Sequence, residues 1–312
     1  MDADVAVVGG GAWGLALAAA AARAGKRTLL LSRRAHDGAL PAGVTLARDD
    51  AQVAREARLI FLAVPSGVVR EVARGLGAHL DGRHFLVHGV RGLVGERLQT
   101  ISDVLREETP ARRIGALGGP ALASDLLAGR PSVMVCGSRY PEVLGAVEAA
   151  FATPTLRLYS TPDLTGLEWA SALVGCLAIG VGYARGVGLG PGLLAAVITR
   201  AVEEAARLAS AAGGEERTLL GLAGYGDMLA SIAQTERPEV LVGEALARGK
   251  TVAQALTEAK QRVEAVDLAG RIATWAGHVG VRAPIMTTLA NGILAGRAPE
   301  TLVQELMTSP KP

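Results

Sequence analysis

The sequence predicts an α/β domain built on a doubly wound, mostly parallel sheet, followed by an all-helical domain. Two observations support this prediction. In the first half, short apolar and β-branched segments alternate with helix-like segments, which is the pattern of βαβ units. After Thr161-Pro162-Asp163 the strand-like segments stop, and segments rich in Ala, Leu, Glu and Arg repeat at helical spacing. We therefore expect a first domain over residues 1–162 and a helical second domain over residues 163–312.

The predicted strands of the first domain are short apolar segments bounded by turn residues. They are Val5–Val8, Thr28–Ser32, Leu59–Val64, Phe85–His88, Ile114–Leu117, Ser132–Val135 and Leu156–Tyr159. Amphipathic segments such as Gly14–Ala24 and Val68–Leu76 lie between them and predict crossover helices. Because crossover connections join parallel strands, most of the sheet is expected to be parallel.

The second domain contains apolar residues at helical spacing throughout. The predicted helices are Glu168–Ala184, Gly192–Ala212, Arg217–Leu222, Val240–Arg248, Val252–Lys260, Val263–Gly277 and Ile285–Leu294. Asp163 is the expected helix cap at the domain boundary. The small residues of Ala178-Ile-Gly-Val-Gly182 permit close helix packing and suggest a homodimer interface.

Composition excludes several classes of protein. The chain has 312 residues, is 50% hydrophobic and carries a net charge of +2, which excludes a disordered chain. With 3% aromatic residues and little net charge, it lacks the basic, stacking surface of a nucleic-acid-binding protein. Cys136 and Cys176 are far apart and lack nearby histidine clusters, so neither a disulfide framework nor a metal site is expected. The N-terminus is acidic and Trp169–Ala184 is too short to span a bilayer, so we expect a soluble cytoplasmic protein.

A glycine pattern follows the first predicted strand directly. Gly9, Gly11 and Gly14 form G-x-G-x-x-G between this strand and the helix that follows. The first glycine permits a tight turn, the second lets a pyrophosphate approach the backbone, and the third lets helix and strand pack closely. This context favours a Rossmann-type dinucleotide site over a merely flexible turn.

The end of the second strand indicates which dinucleotide is bound. The chain has Ser32-Arg33-Arg34 where an acidic residue would hold the ribose hydroxyl of NAD. Arginine suits the 2′-phosphate of NADP, so NADP is favoured. The alternative is that Arg33 and Arg34 are solvated surface residues and that the cofactor is NAD.

Further candidates follow other predicted strands, at the edge where open α/β sheets bind ligands. Pro65 ends the strand Leu59–Val64, and Gly119 follows Ile114–Leu117. Arg91 lies in the turn after Phe85–His88, where it binds an anion or forms a surface ion pair. His88 has an imidazole suited to proton transfer, although a strand histidine that is hydrogen-bonded to the backbone is the more common case.

Several motifs together resemble those of NAD(P)-dependent glycerol-3-phosphate dehydrogenase. They are Gly9-Gly-Gly-Ala-Trp-Gly-Leu-Ala-Leu-Ala18, Val64-Pro-Ser66, Gly119-Pro120, Asp163-Leu-Thr-Gly-Leu-Glu168, Gly188-Leu-Gly190, Thr199-Arg200, Gly221-Leu-Ala-Gly-Tyr-Gly-Asp227, Val263-Glu264 and Gly280-Val-Arg-Ala-Pro-Ile285. The similarity is collinear over nearly the whole chain, and the motif ending at Asp227 is specific to this family.

The resemblance implies reduction of dihydroxyacetone phosphate to sn-glycerol 3-phosphate with NAD(P)H. The positions that it implies for cofactor contacts, together with the glycine motif and the strand-end residues above, are Gly9, Gly11, Ala12, Trp13, Gly14, Arg33, Arg34, Pro65, Arg91, Ala123 and Glu264. The candidate residues for binding a phosphorylated or otherwise anionic substrate are Arg91, Gly119, Arg200, Ser231 and Arg237. For Arg200, an ion pair with Glu203 or Glu204 is the alternative. Asp227 and His88 are the candidate catalytic residues.

The chain departs from the family pattern where the substrate is expected. The resemblance implies a catalytic lysine, whose ammonium polarises the carbonyl and supplies a proton, at the position of Val174. Elsewhere Arg91 replaces a lysine, Ala121 a serine and Gly192 an asparagine, and a Ser-Arg-Asn motif is reduced to Glu236-Arg237-Pro238. Only four lysines occur in the chain, Lys26, Lys250, Lys260 and Lys311. A preference for arginine codons explains Arg91 but not Val174, where the charge itself is lost.

Three hypotheses follow from this combination. The protein is a glycerol-3-phosphate dehydrogenase with a rearranged site, a dehydrogenase of another hydroxy or oxo substrate, or a dinucleotide-binding protein without turnover. With Val174 at the lysine position, Asp227 is expected to be an unpaired acid or a helix cap.

Overall fold

An eight-stranded sheet forms the first part of the chain in the computed structural model, which describes residues 4–33, 40–234, 237–260 and 263–298. The strands are β1 Val5–Val8, β2 Thr28–Leu31, β3 Val44–Leu46, β4 Leu59–Leu62, β5 Phe85–His88, β6 Arg113–Gly118, β7 Ser132–Gly137 and β8 Leu156–Thr161. Their order in the sheet is β3-β2-β1-β4-β5-β6-β7-β8. All neighbours are parallel except β6 and β7, so the prediction of a mostly parallel sheet is confirmed.

Helices cover both faces of this sheet. They are α1 Ala12–Arg23, α2 Asp50–Glu56, α3 Val69–Gly77, α4 Ile101–Glu108, α5 Ala123–Ala128 and α6 Pro141–Ala150. Within β1, Val5 and Val7 belong to the core that contains Leu17 of α1, whereas Ala6 and Val8 belong to the core that contains α3. Because successive strand residues point to opposite faces, a strand that is apolar throughout must be covered on both sides.

The second part of the chain is helical in its described residues. The helices are α7 Leu164–Gly186, α8 Pro191–Ala211, α9 Glu216–Leu220, α10 Asp227–Ala233, α11 Pro238–Ala247, α12 Val252–Ala259, α13 Ala265–His278 and α14 Pro284–Thr288, with π-helical turns over Leu222–Gly226 and Leu289–Ile293. Asp163 caps α7 as predicted, because its Oδ1 accepts the N–H of Gly166 at 2.8 Å. This cap lets α7 begin one turn before the predicted start at Glu168.

The prediction contains neither strand β3 nor helix α10. Strand β3 has three residues, two of them exposed, and pairs only with β2. Helix α10 follows a glycine-rich turn that reads as loop in the sequence. A Cβ at Gly224 in this turn would lie 2.1 Å from the Leu219 carbonyl oxygen, so the glycine lets the turn pack against α9.

Helix α7 has 23 residues, and its most apolar stretch has a mean hydropathy of 1.6, so the helix is long and apolar enough to cross a bilayer. The uncharged stretch Trp169–Ala184 lies within this longer helix, which begins at Leu164 and ends at Gly186. Its apolar character has another explanation, since 89% of its most apolar stretch is buried inside the protein. Among the described residues it is the only helix that meets both criteria.

Glycines let α7 pack closely against α11. A Cβ at Gly182 would lie 2.1 Å from the Val240 carbonyl oxygen, and one at Gly243 would lie 2.0 Å from the Ile179 carbonyl oxygen. The small residue at 182 is therefore explained by packing within the chain. The homodimer interface stays a prediction.

Contacts group the chain into two compact units. The first comprises Met1–Gly95 and Gln99–Glu168, and the second comprises Glu96–Leu98 and Trp169–Pro312.

Candidate active site

The turn after β1 contains three glycines, and the surroundings of each glycine differ. Gly9 has a φ of 121°, and a Cβ there would lie 2.2 Å from the Ala63 carbonyl oxygen. A Cβ at Gly14 would lie 1.8 Å from the carbonyl oxygen of Gly9. A Cβ at Gly11, in contrast, would meet no protein atom within 4 Å. Packing requires Gly9 and Gly14, whereas the space beside Gly11 is open to a ligand that approaches the backbone.

Helix α1 begins beside Gly11 without a side-chain cap. Gly11 is the N-cap residue and has no side chain to accept the first-turn N–H groups of Ala12, Trp13 and Gly14. These N–H groups and the helix dipole make such an N-terminus a site for phosphate. The residues present therefore fit the pyrophosphate of a dinucleotide.

Trp13 packs against the turn after β5. A Cβ at Gly89 would lie 2.3 Å from Trp13 Nε1, so only glycine allows this contact. The indole nitrogen is buried and has no hydrogen-bond partner among the described residues. Sequence analysis missed Gly89, although a glycine straight after a strand is a recognisable signal of close approach.

The other strand-end candidates lie at one edge of the sheet. Arg33 follows β2, Pro65 follows β4, Arg91 follows β5 and Gly119, with a φ of 90°, follows β6. Because these strands are all parallel, their carboxyl ends meet at the edge where α/β sheets bind ligands. Ala123 is the first residue of α5, beyond Gly119.

Arg33 has an exposed side chain, 75% accessible, and lies 3.8 Å from an equally exposed Glu71 carboxylate. An exposed ion pair of this length contributes little, so the guanidinium can exchange it for another anion. Arg34 lies outside the described residues.

His88 forms a buried network with Glu168 and Ser102. Its Nε2 donates to Glu168 Oε1 at 3.0 Å, and its Nδ1 accepts the N–H of Val90 at 3.4 Å. Glu168 also accepts the N–H and the hydroxyl of Ser102, each at 2.7 Å. Since both ring nitrogens are engaged within the protein, this geometry favours a structural role for His88 over proton transfer.

A buried charged cluster lies in the helical unit. Arg237 Nη1 donates to Asp227 Oδ1 at 3.3 Å and also to the hydroxyl of Ser231. Arg237 Nε donates to Glu239 Oε2 at 3.0 Å. Asp227, Ser231 and Arg237 are 1%, 0% and 7% exposed. The structure thus brings three predicted site residues together, and the expectation that Asp227 is unpaired is wrong because Arg237 reaches it.

Val174 lies on α7 and is 2% exposed. Its neighbour Gly175 faces α11 and α13, since a Cβ there would lie 3.6 Å from Ala265 Cβ and 4.0 Å from Glu239 Oε1. Val174, the position where the resemblance implies a lysine, is therefore next in sequence to Gly175, which lies beside Glu239 of the charged cluster.

Arg200 is not part of that cluster's hydrogen bonds. It forms no hydrogen bond or ion pair within 4 Å among the described residues and lines an apolar cavity of about 220 Å³ with Met228 and Leu289. Of the two proposed ion-pair partners, Glu203 and Glu204, Glu204 accepts the N–H groups of Ile285 and Met286. Glu264 directly precedes α13 in the helical unit.

Comparisons with known proteins agree along the whole chain. The model of the NAD-dependent glycerol-3-phosphate dehydrogenase N-terminus matches residues 32–144, and that of the C-terminus of the same family matches residues 163–304. The chain belongs to this family. Glycerol-3-phosphate dehydrogenase [NAD(P)+] of Symbiobacterium thermophilum is 33% identical over 99% of this chain and 94% of its own length. That of Desulfitobacterium hafniense is 32% identical over 98% of this chain and 91% of its own length.

Solved structures of the glycerol-3-phosphate dehydrogenase family have the same fold. The enzyme from Coxiella burnetii superposes with a TM-score of 0.90 at 25% identity, covering 98% of this chain and 99% of that chain. A ketopantoate reductase from Ralstonia eutropha shares the fold more distantly, with a TM-score of 0.57 at 18% identity over 94% of this chain and 98% of that chain.

Proposed function

We propose that the protein binds a nicotinamide dinucleotide and uses it to interconvert dihydroxyacetone phosphate and sn-glycerol 3-phosphate. The observation that carries the proposal is the uncapped N-terminus of α1 beside Gly11, in a chain that belongs to the glycerol-3-phosphate dehydrogenase family. Relatives more than 30% identical over nearly the whole chain have names that state this activity. The proposal also assigns the protein to the cytoplasm, where Cys136 and Cys176 remain free thiols.

For the cofactor, we assign the pyrophosphate to the first-turn N–H groups of α1 and favour NADP over NAD. The exposed Arg33 supports NADP, because a guanidinium can bind a 2′-phosphate with two parallel hydrogen bonds. When bound, the nicotinamide supplies or accepts the hydride.

For the substrate, we assign Arg237 as the anion-binding residue and Asp227 as its positioning partner. Arg237 is the guanidinium held in the helical unit by two carboxylates and a serine hydroxyl. Its Nη2 is buried and has no hydrogen-bond partner among the described residues, which supports a role in holding an oxygen of the substrate.

Val174 supports a second candidate function, a dinucleotide-binding protein without turnover. Valine can neither donate a proton nor stabilise a developing negative charge. General acid catalysis alone contributes about 10²–10⁴-fold, so the reaction is expected to be slow without a lysine at this position.

The test is oxidation of NADPH by the purified protein with dihydroxyacetone phosphate. We expect slow turnover by the wild type and an increase of about 100-fold or more in Val174→Lys, because the ammonium restores the acid and the positive charge. Val174→Met is the matched control, since it has similar length but no charge and should leave the rate unchanged.

Two outcomes separate the candidate functions. NADPH binding without oxidation by either the wild type or Val174→Lys would contradict the dehydrogenase proposal and favour the binding protein. An equal gain in Val174→Met would show that side-chain length, and not the ammonium, limits the rate.

A further inference from the structure

Glu239 lies where it can control how Arg237 binds an anion. A guanidinium has five N–H donors and holds a phosphate best through two parallel hydrogen bonds from one edge. The side edge consists of Nε and Nη2, and the end edge consists of Nη1 and Nη2. Which nitrogens are already engaged therefore decides how tightly a phosphate binds.

On each edge of the Arg237 guanidinium, one nitrogen already donates a hydrogen bond within the protein. Nε donates to Glu239 Oε2 at 3.0 Å, which blocks the side edge. Nη1 donates to Asp227 Oδ1 at 3.3 Å and to the hydroxyl of Ser231, which blocks the end edge. Only Nη2 lacks a hydrogen-bond partner among the described residues, so a phosphate can use one nitrogen unless a carboxylate moves away.

The charge of this cluster also opposes a phosphate dianion. Asp227 and Glu239 carry two negative charges around the single positive charge of Arg237, and all three side chains are largely buried, at 1%, 18% and 6% exposure. Arg271 is a second cation in the neighbourhood, since it and Glu239 both act on the pKa of the buried Cys176 thiol. Charges in a buried site are screened little by solvent, so the Glu239 carboxylate repels an incoming dianion more strongly than a surface carboxylate does.

We propose that Glu239 determines specificity at this site by holding the Nε of Arg237 and lowering the affinity for phosphate dianions. The inference rests on the assignment of Arg237 as the anion-binding residue in the proposed function. The two carboxylates have different roles. Asp227 positions the guanidinium from the start of α10, whereas Glu239 follows Arg237 on α11 and competes directly with the ligand.

The test is equilibrium binding of sn-glycerol 3-phosphate and of inorganic phosphate to the full chain by isothermal titration calorimetry, without cofactor. Glu239→Ala frees the side edge of Arg237, and we expect both dissociation constants to fall about tenfold or more, the equivalent of one hydrogen bond to a charged group. Glu239→Gln keeps the shape of the side chain and removes its charge, so both dissociation constants should fall by a smaller factor. This variant also provides a second measurement if Glu239→Ala does not fold.

Glu244→Ala is the matched control. Glu244 lies on the same helix and pairs with another arginine, Arg185, at 3.5 Å. Its removal changes the net charge equally but leaves Arg237 untouched, so the phosphate affinity should stay within about twofold of the wild type.

Unchanged or weaker phosphate binding in both Glu239 variants would overturn the inference, as would an equal gain in Glu244→Ala. The absence of phosphate binding in every variant would overturn it as well. Because no turnover is measured, failure here is distinct from failure of the dehydrogenase proposal, which depends on NADPH oxidation.

Discussion

At the scale of single residues, glycines at the β1–α1 turn serve packing and binding separately. Gly9 and Gly14 are fixed by contacts below 2.5 Å that a Cβ would make with backbone oxygen atoms. Gly11 has an extended backbone, with φ −76° and ψ 176°, and open space where its side chain would be. One motif therefore contains two glycines that packing requires and one glycine, Gly11, that packing does not require.

This difference predicts opposite behaviour for two serine substitutions. Gly11→Ser keeps a good N-cap residue, so the free energy of unfolding should change by less than about 0.5 kcal/mol, while its side chain blocks the pyrophosphate and weakens NADPH binding at least about tenfold. Gly14→Ser should destabilise by about 3 kcal/mol or more because its Cβ collides with the backbone of Gly9. Urea unfolding and NADPH titration measure the two effects. If Gly11→Ser binds NADPH as the wild type does, the α1 terminus is not the pyrophosphate site.

In the candidate site, the sequence identified single residues but not the contacts between them. The sequence identified Asp227, Ser231 and Arg237 as candidates, yet nothing in it showed that they form one hydrogen-bonded cluster. Glu239 was missed, since a glutamate two residues after an arginine at a helix start is common on solvated surfaces.

At the scale of elements, two buried glutamates fix the starts of helices. Glu168 in α7 accepts the N–H and hydroxyl of Ser102 in α4 and also receives a hydrogen bond from His88 at the end of β5. Glu204 in α8 accepts the N–H groups of Ile285 and Met286, at 2.9 and 2.7 Å, in the first turn of α14. Helix starts leave such N–H groups unsatisfied, and a carboxylate from another element both satisfies them and complements the helix dipole.

Glu204 makes the stability of the protein depend on pH. Burial raises the pKa of Glu204 from its ordinary 4.5, and the two N–H donors only partly offset this. Because the native state then holds the proton to a higher pH than the unfolded chain, the stability from this group is complete below pH 4.5 and is lost as the pH rises through the raised native pKa. The free energy of unfolding of the wild type minus that of Glu204→Gln should therefore fall with rising pH.

Glu142 provides a control of opposite sign. Hydrogen bonds from its own backbone N–H and from Arg113 lower the pKa of this exposed carboxyl. The difference between the wild type and Glu142→Gln should consequently rise with pH over the acidic range. Denaturant unfolding from acidic to neutral pH measures both differences, and a flat or rising difference for Glu204 would contradict the prediction.

Element boundaries were predictable where capping residues mark them. Asp163 identified the beginning of the helical part, and the strands β1 and β5 match their predicted limits. The short edge strand β3 and the helix α10 were not predictable, because β3 depends on pairing with β2 and α10 follows a glycine turn that packing on α9 holds.

At the scale of the whole molecule, the candidate cofactor residues and the candidate substrate residues belong mainly to different units of the chain. The glycine turn, the uncapped α1 terminus and Arg33 all belong to the first unit. Val174, Arg237 and Glu239 belong to the second. Cofactor binding can therefore be measured through the stability of the whole protein, independently of turnover.

Ligand-linked stability tests the cofactor preference. NADPH at 100 times its dissociation constant should raise the free energy of unfolding by about 2.7 kcal/mol. At equal concentrations NADPH should stabilise more than NADH, and Arg33→Ala should remove most of the difference because the 2′-phosphate loses its guanidinium. Arg83→Ala, which removes another exposed arginine, should preserve the difference. Equal stabilisation of the wild type by both cofactors would contradict the preference for NADP.

The pattern of residues along the chain was sufficient to predict the mostly parallel sheet, the helical second part and the dinucleotide motif. These features are local, because the alternation of apolar residues and the spacing of glycines report directly on strands, helices and a turn. Three contacts became visible only in the folded chain: Trp13 packs on Gly89, Glu168 accepts a hydrogen bond from His88, and Arg237 is shared between Asp227 and Glu239. These contacts join polar groups from separate elements, and periodicity reports which face of an element is apolar but not which polar side chains meet.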